Sequence, residues 1–333
     1  MNPIERKSPL RICVIGGSGF IGTRLVTKLQ DEGFSVAIFD KNQSKTFPGL
    51  VTRGDVRDVD ALCAACAGVD VIYNLAAEHR DDVTPSSLYY DVNVQGARNV
   101  VQAAEVNGVQ NVVFTSTVAV YGLNKPNPDE NSPTEPFNHY GKSKLEAEKV
   151  FNEWADKNEE RSLTILRPVV VFGEGNRGNV FNLIKQIQSN KFMMVGLGNN
   201  RKSMAYVGNI AEFLTRAAEI GPGSRLFNFA TKPDLSVGHL VEFIRAEMSI
   251  LTPMPRIPYA AGIVGGLIFD FFSRVTGRKF PISSIRIRKF CANTTVSTNA
   301  LEEFGFQSPF SLQDGLRLMI ENLDQNIYFE GGG

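Results

Sequence analysis

Tyr140 and Lys144 lie four residues apart in the segment YGKSK (140–144), and their side chains are well suited to moving a proton. In a helix, residues i and i+4 lie on one face, so the phenol and the ammonium would be neighbours. A free tyrosine has a pKa of about 10 and is a weak base at neutral pH, but a nearby cation favours its phenolate. We therefore predict that Tyr140 exchanges a proton with a substrate hydroxyl and that Lys144 stabilises its charge.

A cluster of hydroxyl side chains precedes this pair in the segment FTSTVAVYG (114–122), directly after an apolar run. If the run is a strand of a parallel sheet, its carboxyl end lies at the edge where α/β proteins bind ligands. We predict that Thr117 holds the substrate oxygen by a hydrogen bond, with Ser116 as the alternative.

Glycines occupy positions 16, 19 and 22 in the segment VIGGSGFIG (14–22), between a short apolar run and a helical pattern. Glycine allows the tight turn and lets the backbone approach a pyrophosphate, and the following helix directs unpaired N–H groups at the phosphates. The loop therefore predicts a dinucleotide site. We assign Gly16, Gly19 and Gly22 to it, together with Phe20 and Ile21.

Asp40 follows Gly22 by 18 residues and ends the next apolar run. A carboxylate there accepts hydrogen bonds from the adenosine ribose and repels a 2′-phosphate, which favours NAD over NADP. Because Lys41 and Lys45 are nearby cations, NADP stays an alternative cofactor. Lys41 is assigned to the cofactor site. Asp55 is expected at the adenine edge, or alternatively as a helix N-cap. The remaining cofactor residues that we predict are Val56, Leu75, Ala76, Ala77, Thr115 and Pro168, besides Tyr140 and Lys144.

Strand-like and helix-like segments alternate up to Gly173, which is typical of an α/β protein with a doubly wound parallel sheet of the Rossmann type. We predict a dinucleotide-binding domain over residues 1–173. Residues 174–330 form a smaller mixed part that binds substrate and returns strands to the sheet. The strands are expected at 10–15, 34–39, 50–53, 70–75, 109–116 and 163–171. The helices are expected at 20–31, 59–67, 86–107, 141–158, 180–189, 210–218 and 237–246.

The 333 residues contain 35 basic and 35 acidic side chains, which gives no excess charge for a nucleic-acid partner. Cys63 and Cys66 form a CxxC without a second pair, so we expect small buried side chains and no metal. No apolar signal-peptide core begins the chain, and a cytoplasmic location is expected. The apolar stretch Tyr259–Phe272 is too short to span a bilayer. We expect a packed helix near the substrate there, with a docking surface as the alternative.

These motifs together resemble the extended short-chain dehydrogenase/reductase family, in its NAD-dependent nucleotide-sugar epimerase/dehydratase branch. The similarity extends over nearly the whole chain. Parts of the chain also resemble bacterial surface-polysaccharide enzymes. Its marks are GGSGFIG (16–22), Asp40, NLAA (74–77), TSTVAVYG (115–122), YGKSK (140–144), LRPVVVFG (166–173) and YVGNIAEF (206–213).

The resemblance implies that Tyr140, Lys144 and Thr117 are the catalytic set and that a nucleoside-diphosphate sugar is the substrate. It places the backbone of Asn179 at the diphosphate. Lys202 falls near a position where the family has an arginine, and Arg286 or Arg288 would supply another cation. His79, in a polar loop after the fourth strand, is a further candidate for substrate contact.

Within this branch, 4,6-dehydratases follow the catalytic threonine with Asp-Glu, whereas here Val118 and Ala119 follow Thr117 and cannot move protons. Dehydration is therefore disfavoured. We expect a UDP-sugar 4-epimerase, with an NAD(P)H-dependent 4-keto-6-deoxy-sugar reductase as the alternative. A hydroxysteroid dehydrogenase and a non-catalytic nucleotide sensor remain further alternatives. The resemblance also implies a homodimer through the helices at 86–107 and 141–158.

Overall fold

A computed structural model describes residues 9–80, 83–123, 125–277 and 283–323. The ends of the two predicted domains, at residues 1 and 330, lie outside these ranges. The strands are β1 (Arg11–Ile15), β2 (Ser35–Asp40), β3 (Val51–Arg53), β4 (Val71–Asn74), β5 (Asn111–Thr115), β6 (Ser162–Pro168), β7 (Val170–Phe172), β8 (Met194–Val195), β9 (Arg201–Lys202), β10 (Met204–Tyr206), β11 (Gly223–Phe229), β12 (Leu235–Ser236) and β13 (Arg256–Ile257).

The α-helices are α1 (Phe20–Asp31), α2 (Val59–Ala65), α3 (Ser87–Tyr90), α4 (Gly96–Asn107), α5 (His139–Ala155), α6 (Asn179–Gln188), α7 (Val207–Ala217), α8 (Val237–Glu247), α9 (Tyr259–Thr276), α10 (Ser284–Cys291), α11 (Asn299–Glu303) and α12 (Leu312–Glu321). Short 3₁₀ helices cover Pro48–Leu50 and Val118–Tyr121, and a π-helical segment covers Asp91–Gln95.

In the described part of the chain, seven parallel strands form the central sheet in the order β11-β6-β5-β4-β1-β2-β3. The order reverses between β1 and β4, so this is the doubly wound topology, and the predicted fold class is confirmed. The carboxyl ends of β1 and β4 therefore open a crevice in which such sheets bind ligands. β11 comes from the part after Gly173 and pairs with β6 at the far edge.

Apolar helices cover both faces of this sheet. Leu25 of α1 and Phe213 of α7 pack on one face, and Val100 of α4 and Phe151 of α5 pack on the other, all of them fully buried. A third apolar cluster lies beside the sheet and joins α6, α8 and α12 to β7 and β10. Each face of the sheet is closed from solvent, as parallel strands require.

Most predicted bounds shift by a few residues, and two predicted elements are divided in the structure. The helix expected over 86–107 is interrupted by the π segment, and the strand expected over 163–171 ends at Pro168 because β7 turns away to pair with β10. The stretch Tyr259–Phe272 is helical, as expected, but only Gly262 and Gly266 of α9 are buried, so the expected packing was wrong. No helix within the described ranges is long and apolar enough to cross a membrane.

Candidate active site

The glycine loop between β1 and α1 fits closely against the end of β4. Gly16 has a φ of +81°, and a Cβ added there would lie 2.7 Å from the backbone nitrogen of Ala76. A Cβ on Gly22 would lie 2.5 Å from the carbonyl oxygen of Gly16. Any side chain at these two positions would push the loop away from β4 or from α1, so glycine is required by the packing itself.

Asp40 fixes this loop from the end of β2. Its carboxylate accepts hydrogen bonds from the backbone nitrogens of Ser18 at 3.0 Å and Asn42 at 2.9 Å. Helix α1 begins at Phe20, after Gly19, without a side-chain cap and with no acidic residue in its first turn. No acidic side chain in the first turn therefore offsets the positive end of the helix dipole, which favours an anion there.

Two buried polar atoms lie at the ends of the strands that adjoin the crevice. Asn74 Oδ1 on β4 and Thr115 Oγ1 on β5 make no hydrogen bond within the described part of the chain. Buried polar groups in proteins almost always have a partner, so these two point to a polar ligand. With the glycine loop and Asp40, they fit a dinucleotide along this edge.

The other predicted cofactor residues surround the same edge. Asp55 forms an ion pair of 2.7 Å with Arg57, which lowers the pKa of its carboxyl, and the cap of α2 is Asp58 instead. The carbonyl of Val56 accepts a hydrogen bond from Asn99. Lys41 is exposed beside Asp40 and Pro168 is buried at the end of β6, while Leu75, Ala76 and Ala77 are half-buried. Their cofactor contacts stay predictions.

Tyr140 and Lys144 both lie on α5, which begins at His139 with Asn138 as its cap. Tyr140 is half-buried, whereas Lys144 is 1% exposed and its Nζ lies 4.2 Å from the centroid of the Phe114 ring. Burial lowers the pKa of Lys144 to about 7, against an opposing effect of Glu148. The ammonium therefore sits at the end of β5, one helical turn from the phenol.

Thr117 lies two residues after the end of β5 and caps the 3₁₀ helix Val118–Tyr121, which packs against α5. It is 8% exposed, and its Oγ1 accepts a hydrogen bond of 3.2 Å from the nitrogen of Ala119. A Cβ on Gly141 would lie 2.8 Å from the carbonyl oxygen of Ala119. This close approach at Gly141 brings Tyr140, its neighbour in the chain, to the segment that carries Thr117.

Asn93, which lies in the π segment and is buried against α5, was not among the residues predicted from the sequence. Its amide nitrogen donates to Ser143 Oγ at 2.9 Å and to the Glu78 carbonyl at 3.0 Å, and its oxygen accepts from the Glu78 nitrogen. Asn93 thus ties the loop after β4 to the catalytic helix. π segments often mark functional sites. The apolar spacing of this one is that of an ordinary helix, so the sequence contains no signal for it.

Ser116, Tyr121, Glu148, Arg167 and Asn228 form a buried polar network beneath this site. Arg167 donates to both oxygens of Glu148, at 2.9 and 2.6 Å, and to the Tyr121 hydroxyl at 2.8 Å. The Ser116 hydroxyl donates to Glu148, and the Tyr121 hydroxyl donates to Asn228. Because Ser116 is held in this network, Thr117 is the better placed of the two predicted hydroxyls.

The predicted substrate residues lie apart from this buried centre. Asn179 is exposed at the first turn of α6, Arg286 is exposed on α10, and His79 is exposed on the loop after β4. Lys202 donates to the carbonyls of Lys289 and Ala292, at 3.0 and 3.1 Å, so its ammonium holds the end of α10. Substrate contact by these four residues stays a prediction.

Sequence comparison identifies one family and two similar relatives. A model described as the NAD dependent epimerase/dehydratase family matches residues 12–230. An N-acetyl-alpha-D-glucosaminyl-diphospho-ditrans,octacis-undecaprenol 4-epimerase of Escherichia coli O157:H7 is 53% identical over 308 residues, which are 92% of either chain. A 3-beta-hydroxysteroid dehydrogenase of Mycolicibacterium neoaurum is 32% identical over 67% of this chain and 64% of its own.

Among solved structures, the UDP-glucose 4-epimerase of Thermus thermophilus in complex with NAD superimposes with a TM-score of 0.73. The match covers 95% of this chain and all of that one, at 20% sequence identity. At such low identity the likeness shows the shared fold.

Proposed function

The chain belongs to the NAD-dependent epimerase/dehydratase family, and from this premise we propose that it inverts C4 of an N-acetylhexosamine linked through diphosphate to a polyprenol. The membership confirms the predicted family, the prediction of an enzyme and NAD as the cofactor. The sequence predicted a nucleoside beyond the diphosphate. The proposal keeps the sugar, its C4 and the diphosphate, and replaces the nucleoside by a polyprenyl carrier.

The 53% identity to the Escherichia coli 4-epimerase, over 92% of both chains, carries this proposal. That identity includes most of the C-terminal part, where we expect the substrate to bind. The steroid dehydrogenase matches a smaller share of the chain at lower identity. A shared dinucleotide-binding half alone would not reach 92% of the chain, so the longer match favours the sugar substrate.

The residues of the site support this chemistry. When NAD is bound, it supplies the oxidation and the later reduction at C4. Gly16, Gly19 and Asp40 would hold it at the carboxyl edge of the sheet. The phenolic oxygen of Tyr140 removes the proton of the C4 hydroxyl and returns it after the sugar has turned. Thr117 Oγ1 holds the same oxygen, and the Lys144 ammonium stabilises the phenolate.

The proposal is tested with purified protein and a chemically prepared N-acetylglucosaminyl-diphospho-polyprenol of short chain length in mild detergent. Four further mixtures are assayed in parallel: UDP-N-acetylglucosamine, UDP-glucose, a nucleoside-diphosphate 4-keto-6-deoxy sugar with NADH, and a 3β-hydroxysteroid with NAD. Products are identified by NMR of the released sugar, and the absorbance of reduced nicotinamide is followed throughout. We expect interconversion of the gluco and galacto forms of the polyprenyl substrate without net change in cofactor.

Each contrary result overturns a different part of the proposal. Turnover of UDP-sugars only would keep the 4-epimerase and reject the polyprenyl carrier. Stoichiometric oxidation of reduced nicotinamide with a 4-keto sugar would identify the reductase instead. Turnover of a 3β-hydroxysteroid, with no change in either sugar, would reject the sugar substrate altogether.

A further inference from the structure

Helix α9 turns most of its bulky apolar side chains outward, and of its residues only Gly262 and Gly266 are buried. A Cβ on Gly266 would lie 2.7 Å from the Ser284 backbone on α10, and one on Gly262 would lie 2.7 Å from the Val195 side chain. Small residues thus make the closest contact with the protein, beside the half-buried Ile263 and Phe269. The side chains that we call the apolar face of α9 are 49–67% exposed: Val264, Leu267, Ile268, Phe271, Phe272 and Val275.

This arrangement is the reverse of an ordinary surface helix, which buries its apolar stripe and exposes its polar one. The apolar face repeats at helical spacing over three turns, so it forms one continuous patch. Single exposed apolar residues are normal, but patches of this kind mark interaction sites. The one acidic residue of the helix, Asp270, accepts a hydrogen bond of 3.2 Å from the Ser284 nitrogen and lies outside the apolar face.

Positive charge accompanies the apolar face. Over residues 259–291 the sequence has six basic side chains and one acidic one, Asp270, although the whole chain balances 35 against 35. Four of the basic residues lie in the described ranges and are exposed: Arg274, Arg286, Arg288 and Lys289. Arg278 and Lys279 follow α9 in the sequence, outside the described residues. Cations beside an apolar helical face are the pattern that anionic lipid surfaces attract.

We propose that α9 and α10 dock this enzyme on an anionic lipid bilayer, with the apolar face of α9 lying in the interface and the basic residues against the headgroups. The excess of basic residues on α9 and on α10, which packs against it, favours a lipid surface over a second copy of this chain, because two copies would bring like charges together. α9 lies in the membrane interface and does not span the bilayer, because it has 18 residues and includes the acidic Asp270.

The docked orientation would bring the active site close to the membrane. Lys289 on α10 lies 5.6 Å from the centroid of the Phe137 ring, and Phe137 precedes Tyr140 by three residues. The helix pair therefore adjoins the segment that leads into the catalytic helix α5. This docking rests on α9 and α10 and not on the identity of the substrate, so it goes beyond the proposed function and can fail independently of it.

The test measures flotation of the purified full-length protein, loaded with NAD and without sugar, with liposomes. One set contains phosphatidylglycerol and phosphatidylethanolamine, and the other contains phosphatidylcholine only. Phe271→Asp and Val275→Asp remove apolar contact, and Arg274→Glu removes charge. Val106→Asp on α4 is the matched control, because Val106 is 66% exposed and Val275 is 67% exposed, each near the end of its helix.

We expect the wild type and Val106→Asp to float with the anionic liposomes, and binding to fall with added salt. The three α9 variants should bind at least roughly ten-fold more weakly, since each loses an inserted apolar group or a cation. They should keep wild-type turnover of the short-chain substrate in detergent and lose it when the substrate is embedded in liposomes.

Three results would overturn the docking. The first is wild-type binding that is equal on both kinds of liposome, or absent on both. The second is equal loss in Val106→Asp and Val275→Asp. The third is a drop in molar mass by light scattering in Phe271→Asp without any change in flotation, which would assign the face to a second copy. None of these bears on epimerase turnover in detergent, which tests the proposed function alone.

Discussion

The buried network beneath the catalytic helix and the apolar face of α9 both place residues against their usual environment. Arg167 and Glu148 carry charges at 5% and 4% side-chain exposure, but each is bonded to the other and to neighbouring hydroxyls. Phe271 and Val275 are apolar at 62% and 67% exposure, so most of each residue faces solvent. Buried charge is compensated inside the chain, whereas exposed apolar surface is left for a partner outside it.

Arg167→Met should cause the largest effect, because it leaves the Glu148 carboxylate buried without its cation. Removing one partner of a buried ion pair typically costs about 3–5 kcal/mol in the free energy of unfolding. Urea denaturation measures that loss. The control is Arg167→Met combined with Glu148→Leu, which should recover most of the stability, since no charge is then buried alone. If the single and double variants are equally unstable, shape and not charge holds this region together.

Lys144 adds a pH dependence to the same buried region. Its pKa in the folded chain is lowered by burial to about 7, whereas the pKa of a lysine in an unfolded chain is about 10.4. Between these values the unfolded chain binds the proton that the folded chain has released, so stability rises with pH across that window. Below about pH 7 the group is charged in both states, and the folded state bears the full cost of the buried ammonium.

The measurement is urea unfolding of wild type and Lys144→Met at several pH values from neutral to about 10, because only their difference isolates this lysine. We expect the wild type to gain relative to the variant by a few kcal/mol. A difference that stays constant with pH would mean that Lys144 keeps its proton throughout, and the low pKa would be rejected.

Tyr140→Phe should lower turnover by roughly 10²-fold or more, the size expected when an acid/base group is removed. Only the hydroxyl of a half-buried side chain is lost, so the free energy of unfolding and NAD binding should hardly change. Steady-state turnover and titration with NAD separate these effects. Tyr90→Phe, which removes a hydroxyl that bonds to the adjacent His139, is the matched control and should retain turnover. Near-native turnover in Tyr140→Phe would refute its catalytic role.

Asp40→Ala should weaken the preference for NAD over NADP by about ten-fold, the value of one hydrogen bond to a charged group. The variant also removes the acceptor of the Ser18 and Asn42 nitrogens, so the loop itself loosens. Asp40→Asn keeps an acceptor and removes the charge, and it separates the two causes. Titration of each variant with both cofactors gives the ratio. An unchanged ratio in Asp40→Ala would remove the ribose contact from the assignment.

The cofactor half was predictable because its physics is local in sequence. A glycine loop between a strand and a helix, an acidic residue at the end of the next strand, and a Tyr–Lys pair at helical spacing each need few residues to be recognised. The doubly wound parallel sheet, although not the order of its strands, followed from the alternation of elements. Helix α1 was predicted with the bounds that the structure shows.

The remainder could not be predicted because it depends on contacts between distant residues. The π segment around Asn93 has the apolar spacing of an ordinary helix. Lys202 resembles any exposed cation until Lys289 and Ala292 are brought beside it by the fold. The composition of Tyr259–Phe272 is that of a packed helix. Its exposure follows from the placement of Gly262 and Gly266, which alone contact the protein closely enough to be buried.

Val275→Asp should cause the smallest effect on folding and thereby separates the two regions most clearly. Val275 is exposed in the last turn of α9, so its substitution should change the free energy of unfolding by about 0.5 kcal/mol, to which an acid near the C-terminus of the helix adds about 0.3–1 kcal/mol. Val113→Asp is the contrasting variant, since Val113 is fully buried on β5 and its replacement would bury an unpaired charge. Urea denaturation of both gives the comparison. A large loss in Val275→Asp would mean that the apolar face of α9 packs within this chain, and with it the docking on lipid would lose its basis.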